Sequence, residues 1–239
     1  MLIFMRMFTQ QDVASKILFE FKQADEHMIS HELHQFLLEK EYPWLVLGAP
    51  LLKFVENCIF KVPQDERIKG AVARGTYIEH TDKIVIGEGA VVEPGAYITG
   101  PAFIESHAVI RHGAYLRGPV YISKYAIVGH ATECKGSIFL PHAKAAHMNY
   151  VGDSILGYDC NLGAGTKLAN LKLKHDNIML YFGNTKIDSG LRKFGSIVGN
   201  RVNIGCNAVA NPGSIFLPDS TLHPNKTALG IIAKDEHIS

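Results

Sequence analysis

The chain has 239 residues, a formal net charge of +1, and an ordinary composition in which 47% of residues are hydrophobic and 20% are charged. A net charge this close to zero argues against a largely basic surface of the kind that binds nucleic acid or an anionic membrane. No apolar run reaches the roughly 20 residues that a membrane span needs. The four cysteines show no CxxC spacing. We therefore expect buried thiols in a cytoplasmic protein, without disulfides or a zinc site.

Residues 1–67 form a first segment with helical character. Apolar residues recur at helical spacing over residues 11–21 and 30–40, and a third short helix is predicted over residues 50–58. Ser30 is a plausible N-cap for the second helix. We expect this segment to cap the open end of the coil that follows, because a solenoid needs a polar lid over its last turn.

A group of histidines in this segment raises the question of a metal site. Its members are His27, His31 and His34. They lie beside acidic residues on a helix face that is predicted to be solvated, so the solvated-face interpretation is favoured and no metal site is predicted.

The stretch from residue 86 to residue 138 repeats with a period of six. Every sixth residue is apolar: Ile86, Val92, Ile98, Ile104, Ile110, Leu116, Ile122, Val128 and Cys134. A period of six fits neither the 3.6 of a helix nor the 2 of a strand. It is typical of a parallel β-helix, in which three hexads make one coil of about 18 residues. The sequence therefore predicts an all-β domain over residues 68–222, with about seven to eight coils.

Two stretches interrupt this register. The pattern resumes at Leu156, which is four residues later than expected, so we predict an inserted loop within residues 141–150. A second irregular stretch covers residues 171–194, and the hexads then return at Val198. Residues 223–239 hold too little apolar sequence for another coil and are predicted to form a tail.

Two motifs lie close together after the first interruption. Residues 147–153 read HMNYVGD, and residues 161–166 read NLGAGT. Together they resemble the acetyltransferase half of the bacterial bifunctional N-acetylglucosamine-1-phosphate uridyltransferase/glucosamine-1-phosphate acetyltransferases. The resemblance is closer to the archaeal-type sugar-1-phosphate nucleotidyltransferase/acetyltransferases and covers residues 84–221. It implies a left-handed β-helix that assembles as a homotrimer. Residues 1–67 hold no glycine-rich nucleotide loop, so no uridyltransferase step is expected.

The resemblance implies an N-acetyltransferase that acts on an aminosugar 1-phosphate. His147 matches the family's general base, and an imidazole with a pKa of about 6.5 suits the removal of a proton from an amine. Arg111 and Lys135 match contacts to the sugar phosphate, and Tyr150 and Asn161 match contacts to the sugar. Glu133 is predicted either to orient His147 or to be a plain surface acid.

The co-substrate that the resemblance implies is acetyl-CoA. The matching positions are Ala164, Asn170 and Leu171, together with Cys206, which stands where the family usually has a serine. Leu171 also begins a departure from the bacterial pattern, because Leu-Lys-Leu follows the asparagine at residue 170. Glycines on both sides of Ala164 let the backbone approach a thioester oxygen closely.

Two other functions stay open on the sequence alone. The coil could be a non-catalytic trimerising module that accompanies a separate sugar-1-phosphate nucleotidyltransferase, or an O-acyltransferase on a nucleotide sugar. The combination of His147, Arg111 and Lys135 favours the N-acetyltransferase, because a scaffold does not need it. The NLGAGT motif argues against the O-acyltransferase.

Overall fold

A computed structural model describes residues 9–20, 28–182 and 184–234. Among the described residues, short parallel strands stack into eight coils. The coils form a left-handed parallel β-helix with three faces, which confirms the predicted fold class.

The first face is one parallel sheet that joins corresponding strands of successive coils. Its strands are Ala71–Val72, Val91–Val92, Val109–Ile110, Ile127–His130, Lys144–His147, Asn161–Leu162, Asn203–Ile204 and Thr221–Leu222.

The second and third faces belong to one larger sheet, because two long strands bend from the second face onto the third. These two strands are Tyr115–Ile122 and Glu133–Phe139. The remaining strands of the second face are Tyr77–Glu79, Tyr97–Thr99, Tyr150–Gly152, Lys167–Leu168, Val209–Ala210 and Thr227–Ala228. Those of the third face are Ile84–Ile86, Ala102–Ile104, Ile155–Leu156, Ser196–Val198, Ser214–Phe216 and Ile231–Ile232.

The interior of the β-helix is built from the hexad residues. Ile86 pairs with Ile104, and Ile104 pairs with Ile122, each one coil further on. All three side chains are 0% exposed. The predicted axial stack is thus confirmed for these coils.

The predicted loop within residues 141–150 is wrong. Residues 144–147 form a strand of the first face, and no residues leave the stack there. Instead the coil is one residue shorter, because Gly136 alone occupies the position that Gly118 and Pro119 fill in the coil before. Cys134 therefore stacks on Val151 rather than on residue 152.

The second irregular stretch does leave the coil, as predicted. The second-face strand Lys167–Leu168 and the third-face strand Ser196–Val198 belong to the same coil, so most of the residues between these two strands form an excursion. Strands Met179–Phe182 and Thr185–Asp188 make an antiparallel hairpin within it. The predicted tail is wrong in part, because Thr227–Ala228 and Ile231–Ile232 continue the stack beyond residue 222.

Within the described part of the chain, three α-helices precede the coil: α1 (Ser15–Leu18), α2 (His31–Leu38) and α3 (Ala49–Phe60). The 3₁₀ turns of this part are Gln10–Val13, Pro43–Val46, Gln64–Glu66 and Thr81–Lys83. The Ser30 hydroxyl accepts a hydrogen bond from the amide of Leu33 at 3.3 Å, which confirms the predicted N-cap. The predicted first helix is divided at Ala14, whose backbone is extended, and its last residue lies outside the described residues, as does His27.

The described residues of the helical segment pack against the third face, whereas the sequence predicted a cap over the end of the coil. Side chains that point outward from this face are apolar and pack with the helices in one cluster: Val85, Phe103, Tyr121, Ile138, Ile155, Ile197 and Ile215. Water would otherwise contact this apolar surface, so its burial explains where the helices lie. None of the described helices is long and apolar enough to cross a bilayer.

Candidate active site

The corner between the first and second faces carries His147, and we call it the His147 corner. His147 ends its strand, is exposed, and stacks in register on His130 of the coil before. Its amide donates to Oδ1 of Asn149 at 3.1 Å, and Nδ2 of Asn149 donates to the carbonyl of Gly163 at 2.7 Å. Asn149 is 3% exposed, so this buried amide ties the His147 turn to the next coil.

The same corner in the next coil is the glycine turn, residues 163–165. The amide of Gly165 donates to the carbonyl of His147 at 3.0 Å, and the amide of Gly163 donates to the carbonyl of Ile204 at 2.7 Å. A Cβ on Gly163 would lie 2.5 Å from the amide nitrogen of Cys206, so only glycine permits this stacking. Ala164 and the exposed Cys206 therefore lie on neighbouring coils of the His147 corner.

A polar network lies on the second face beside this corner. Nζ of Lys135 is 3.4 Å from Oδ2 of Asp153, and Nη1 of Arg117 is 2.6 Å from Oε1 of Glu133. Arg117 and Lys135 are register partners in neighbouring coils. Tyr150 stacks in register on Glu133, so a phenol, two cations and two carboxylates share one surface.

Asn170 closes this network at the corner between the second and third faces. Its Nδ2 donates to Oδ2 of Asp153, and its Oδ1 accepts from the hydroxyl of Tyr150 at 3.3 Å. Burial raises the pKa of Tyr150, and the nearby carboxylates of Glu133 and Asp153 raise it further. The phenol consequently stays protonated at neutral pH and remains a hydrogen-bond donor.

The structure brings most of the predicted site residues together, with three differences. Arg111 directly follows a strand of the first face and lies at the His147 corner, away from Lys135 on the second face. Arg117 occupies the place beside Lys135 instead. Asn161 is exposed on the first face, and the carboxylate of Glu133 is paired with Arg117 rather than directed at His147.

Sequence reasoning missed Arg117, although the repeat contained the signal. Arg117 precedes Lys135 by 18 residues, which is one coil of this part of the chain, whereas Arg111 precedes it by 24. Residues one coil apart stack on the same face, and six more residues move the chain by one face. The roles of Asn149 in the His147 turn and of Asp153 in the polar network were also missed, although both residues lie within the HMNYVGD motif.

Leu171 begins the excursion and forms an antiparallel bridge with Lys193 at its base. Asn170, just before it, is held there because its carbonyl accepts from the amide of Phe194 at 3.0 Å. Among the described residues, no group of three or more His, Cys, Asp and Glu side chains is arranged to hold a metal ion.

The sequence is similar to parts of two longer curated proteins. A bifunctional sugar-1-phosphate nucleotidylyltransferase/acetyltransferase of Sulfurisphaera tokodaii is 31% identical over 188 residues, which is 74% of this chain and 44% of that protein. A bifunctional protein GlmU of Methanococcus maripaludis is 37% identical over 182 residues, 76% of this chain and 42% of that protein. The chain thus spans less than half the length of these relatives. The crystal structure of the polySia-specific acetyltransferase NeuO matches with a TM-score of 0.42 and 12% identity, over 70% of this chain and 76% of that one.

A family model supplies the last comparison. The model of the GMPPB C-terminal domain matches residues 98–232, which include the site described above and most of the coils. The match covers more than half of the chain. The chain therefore belongs to the family of GMPPB C-terminal domains.

Proposed function

We propose that this protein transfers an acetyl group from acetyl-CoA to the amine of an aminosugar 1-phosphate, with glucosamine 1-phosphate as the first candidate. The product would supply N-acetylglucosamine 1-phosphate for UDP-N-acetylglucosamine synthesis. The observation that carries the proposal is the position of His147. Its carbonyl accepts from Gly165 of the glycine turn, which is suited to a thioester, and its strand leads into the second face, which carries a pair of cations suited to a phosphate. The acetyltransferase names of the relatives support the same reaction class.

His147 is the proposed general base. An aminosugar is largely an ammonium ion at neutral pH, so its nitrogen must lose a proton before it attacks the thioester carbonyl. The attack forms a tetrahedral oxyanion, which collapses as the carbon–sulfur bond breaks. His147 would return the proton that it took from the nitrogen to the leaving CoA thiolate, and the other proton that the ammonium loses would pass to water. The amides of Gly163 and Gly165 are committed to Ile204 and His147. The proposed oxyanion donor is therefore the amide of Ala164.

The acceptor is proposed to bind on the second face. Arg117 and Lys135 stack in neighbouring coils and would hold the phosphate, Arg117 through two N–H groups and Lys135 as a point charge. The Tyr150 oxygen, whose hydrogen is donated to Asn170, would accept a hydrogen bond from a sugar hydroxyl. Acetyl-CoA would then follow the His147 corner past Cys206, with Asn170 and Leu171 at the other edge of the second face.

We propose a homotrimer in which each site lies in the cleft between the β-helices of two protomers. Asn161 on the first face of one protomer would then contact the sugar bound on the second face of the other. The third face is already covered by the helices, so the first and second faces are the ones open to other copies. The free state of all four cysteines supports the proposed cytoplasmic location.

The test is a thiol-release assay with acetyl-CoA and a panel of aminosugar 1-phosphates. We expect His147→Ala to lower kcat by about 10²- to 10⁴-fold, the usual range for a positioned base. His112→Ala is the matched control, because His112 is exposed at the same corner two coils earlier. A His147→Ala protein that keeps more than a third of the activity would remove His147 from this role. No turnover by the wild type with any member of the panel would instead favour a trimerising module that accompanies a separate nucleotidyltransferase.

A further inference from the structure

Asp153 is the one carboxylate of the network that contacts two proposed ligand-binding side chains at once. We infer that Asp153 is a positioning residue, which holds Lys135 directly, and Tyr150 through Asn170, in the arrangement that receives the phosphorylated acceptor. This inference rests on the proposed function and adds a residue to it.

The contacts of Asp153 converge on one oxygen. Oδ2 lies 3.4 Å from Nζ of Lys135 and accepts a hydrogen bond from Nδ2 of Asn170. The side chains of Lys135 and Asp153 are only 19% and 14% exposed, so water screens this pair less than the surface pairs of the chain. Through Asn170 the carboxylate also fixes Tyr150, whose hydroxyl donates to Oδ1 of Asn170. One carboxylate thus orders a cation, an amide and a phenol.

The Asp153 carboxylate packs directly against the backbone of Gly136, one coil earlier. A Cβ on Gly136 would lie 2.4 Å from Oδ1 of Asp153, and Gly136 has a φ of +57°, so any other residue there would displace the carboxylate. The amide of Asp153 donates to the carbonyl of Lys135, and its own carbonyl accepts from the amide of Gly195, both at 2.8 Å. Asp153 is therefore fixed at both of its peptide groups before any ligand binds.

The charges explain why such a residue is useful. A lysine has a long flexible stem and loses rotamer entropy when it is held by a ligand. Because Asp153 already restricts Lys135 in the free protein, little further rotamer entropy is lost when the acceptor phosphate binds to this ordered side chain. Without Asp153, Lys135 keeps its charge but loses its orientation.

The variant Asp153→Asn removes the ion pair with Lys135 and keeps the other contacts of the network. Asparagine keeps an oxygen that can accept from Asn170 and tolerates the left-handed backbone of Asp153, which has a φ of 45°. Asp159→Asn is a matched control, because Asp159 has a φ of 49° and lies 3.5 Å from Nζ of Lys144, outside the site. An effect shared by both variants would reflect the loss of an aspartate from such a turn.

The first measurement needs no turnover. Acylation of Lys135 by dilute acetic anhydride, followed by mass spectrometry, should be about fivefold faster in Asp153→Asn, because the Lys135 side chain is then no longer held against a carboxylate and reaches the reagent more often. The Asp159→Asn protein should label Lys135 at the wild-type rate. An unchanged rate in Asp153→Asn would overturn the inference whether or not the protein is an acetyltransferase.

The second measurement connects the pair to the acceptor. Asp153→Asn should raise KM for glucosamine 1-phosphate about fivefold and leave KM for acetyl-CoA unchanged. In a Lys135→Met background the same substitution should have no further effect on KM, because Asp153 acts through Lys135. An equal increase in both backgrounds would show a merely structural role and would refute the inference. A wild type without turnover would count against the proposed function, and the labelling result would stand separately.

Discussion

Arg117 offers a sharp test of the site, because it can be compared with Arg111. Arg117 stacks on Lys135 and is paired with Glu133, whereas Arg111 lies at another corner of the same coil. We expect Arg117→Met to raise KM for glucosamine 1-phosphate and to leave KM for acetyl-CoA unchanged. Methionine keeps most of the apolar stem of arginine, so the change removes the charge and spares the packing.

The size of the effect follows from the exposure of Arg117. A hydrogen bond to a charged group contributes about 1.5–3 kcal/mol, and each 1.4 kcal/mol is about a factor of ten in affinity. The side chain of Arg117 is 46% exposed, so solvent screening places the effect at the lower end of this range. We therefore expect an increase in KM of about tenfold. The Glu133 side chain is 34% exposed, so water can solvate the carboxylate that Arg117→Met leaves behind.

The assay is steady-state thiol release with each substrate varied in turn. Glucosamine without its phosphate supplies a second control, because its KM should not depend on Arg117. Arg111→Met should behave as the wild type with all three substrates. If Arg111→Met raised KM for the phosphorylated sugar more than Arg117→Met did, the stacking argument for Arg117 would be refuted.

Three further predictions concern the fold and the assembly. Burial raises the pKa of Glu105, although hydrogen bonds from Tyr121 and from the amide of residue 124 oppose the shift. The free energy of unfolding should therefore fall as the pH rises from the ordinary glutamate pKa through the raised one, and Glu105→Gln should flatten this slope in urea titrations between about pH 4 and pH 8. Phe139 is 0% exposed, and Phe139→Ala should lower the free energy of unfolding by about 3–5 kcal/mol in the same titration. Light scattering should show a particle of three 26.3-kDa chains, and a mixture of His147→Ala and Asn170→Ala proteins should regain activity, whereas an active monomer would contradict the shared site.

The period of six was enough to predict the stacked interior, because each coil repeats the same steric requirement. The register predicted from this period is wrong after Gly136. This single residue lies opposite both Gly118 and Pro119, so the coil is one residue shorter. A shortened coil and an inserted loop shift the apolar pattern in similar ways. Only the pairing of Cys134 with Val151 tells them apart.

The covered third face could have been predicted from a different signal. Strands such as Ile84–Ile86 are apolar at all three positions, and all three side chains are buried. A strand with one solvated face alternates, so an unbroken apolar run indicates a second layer. The hexad positions point inward and contain no information on an outer layer, so they leave the end of the coil as the expected place for the helices. The contacts of Glu133 depend on rotamers across two coils, and no sequence period contains that information.

The helices on the third face also change how the β-helix is expected to come apart. Coils that contact only their neighbours lose structure progressively from a free end. Here Val85 in an early coil and Ile215 in a late one pack in the same cluster as the helices, and the side chain of Asn200 donates to the carbonyl of Glu20 at 2.7 Å. These contacts fasten distant coils to one another, so the terminal coils should not fray independently, and amide hydrogen exchange should show one cooperative unit across the described coils.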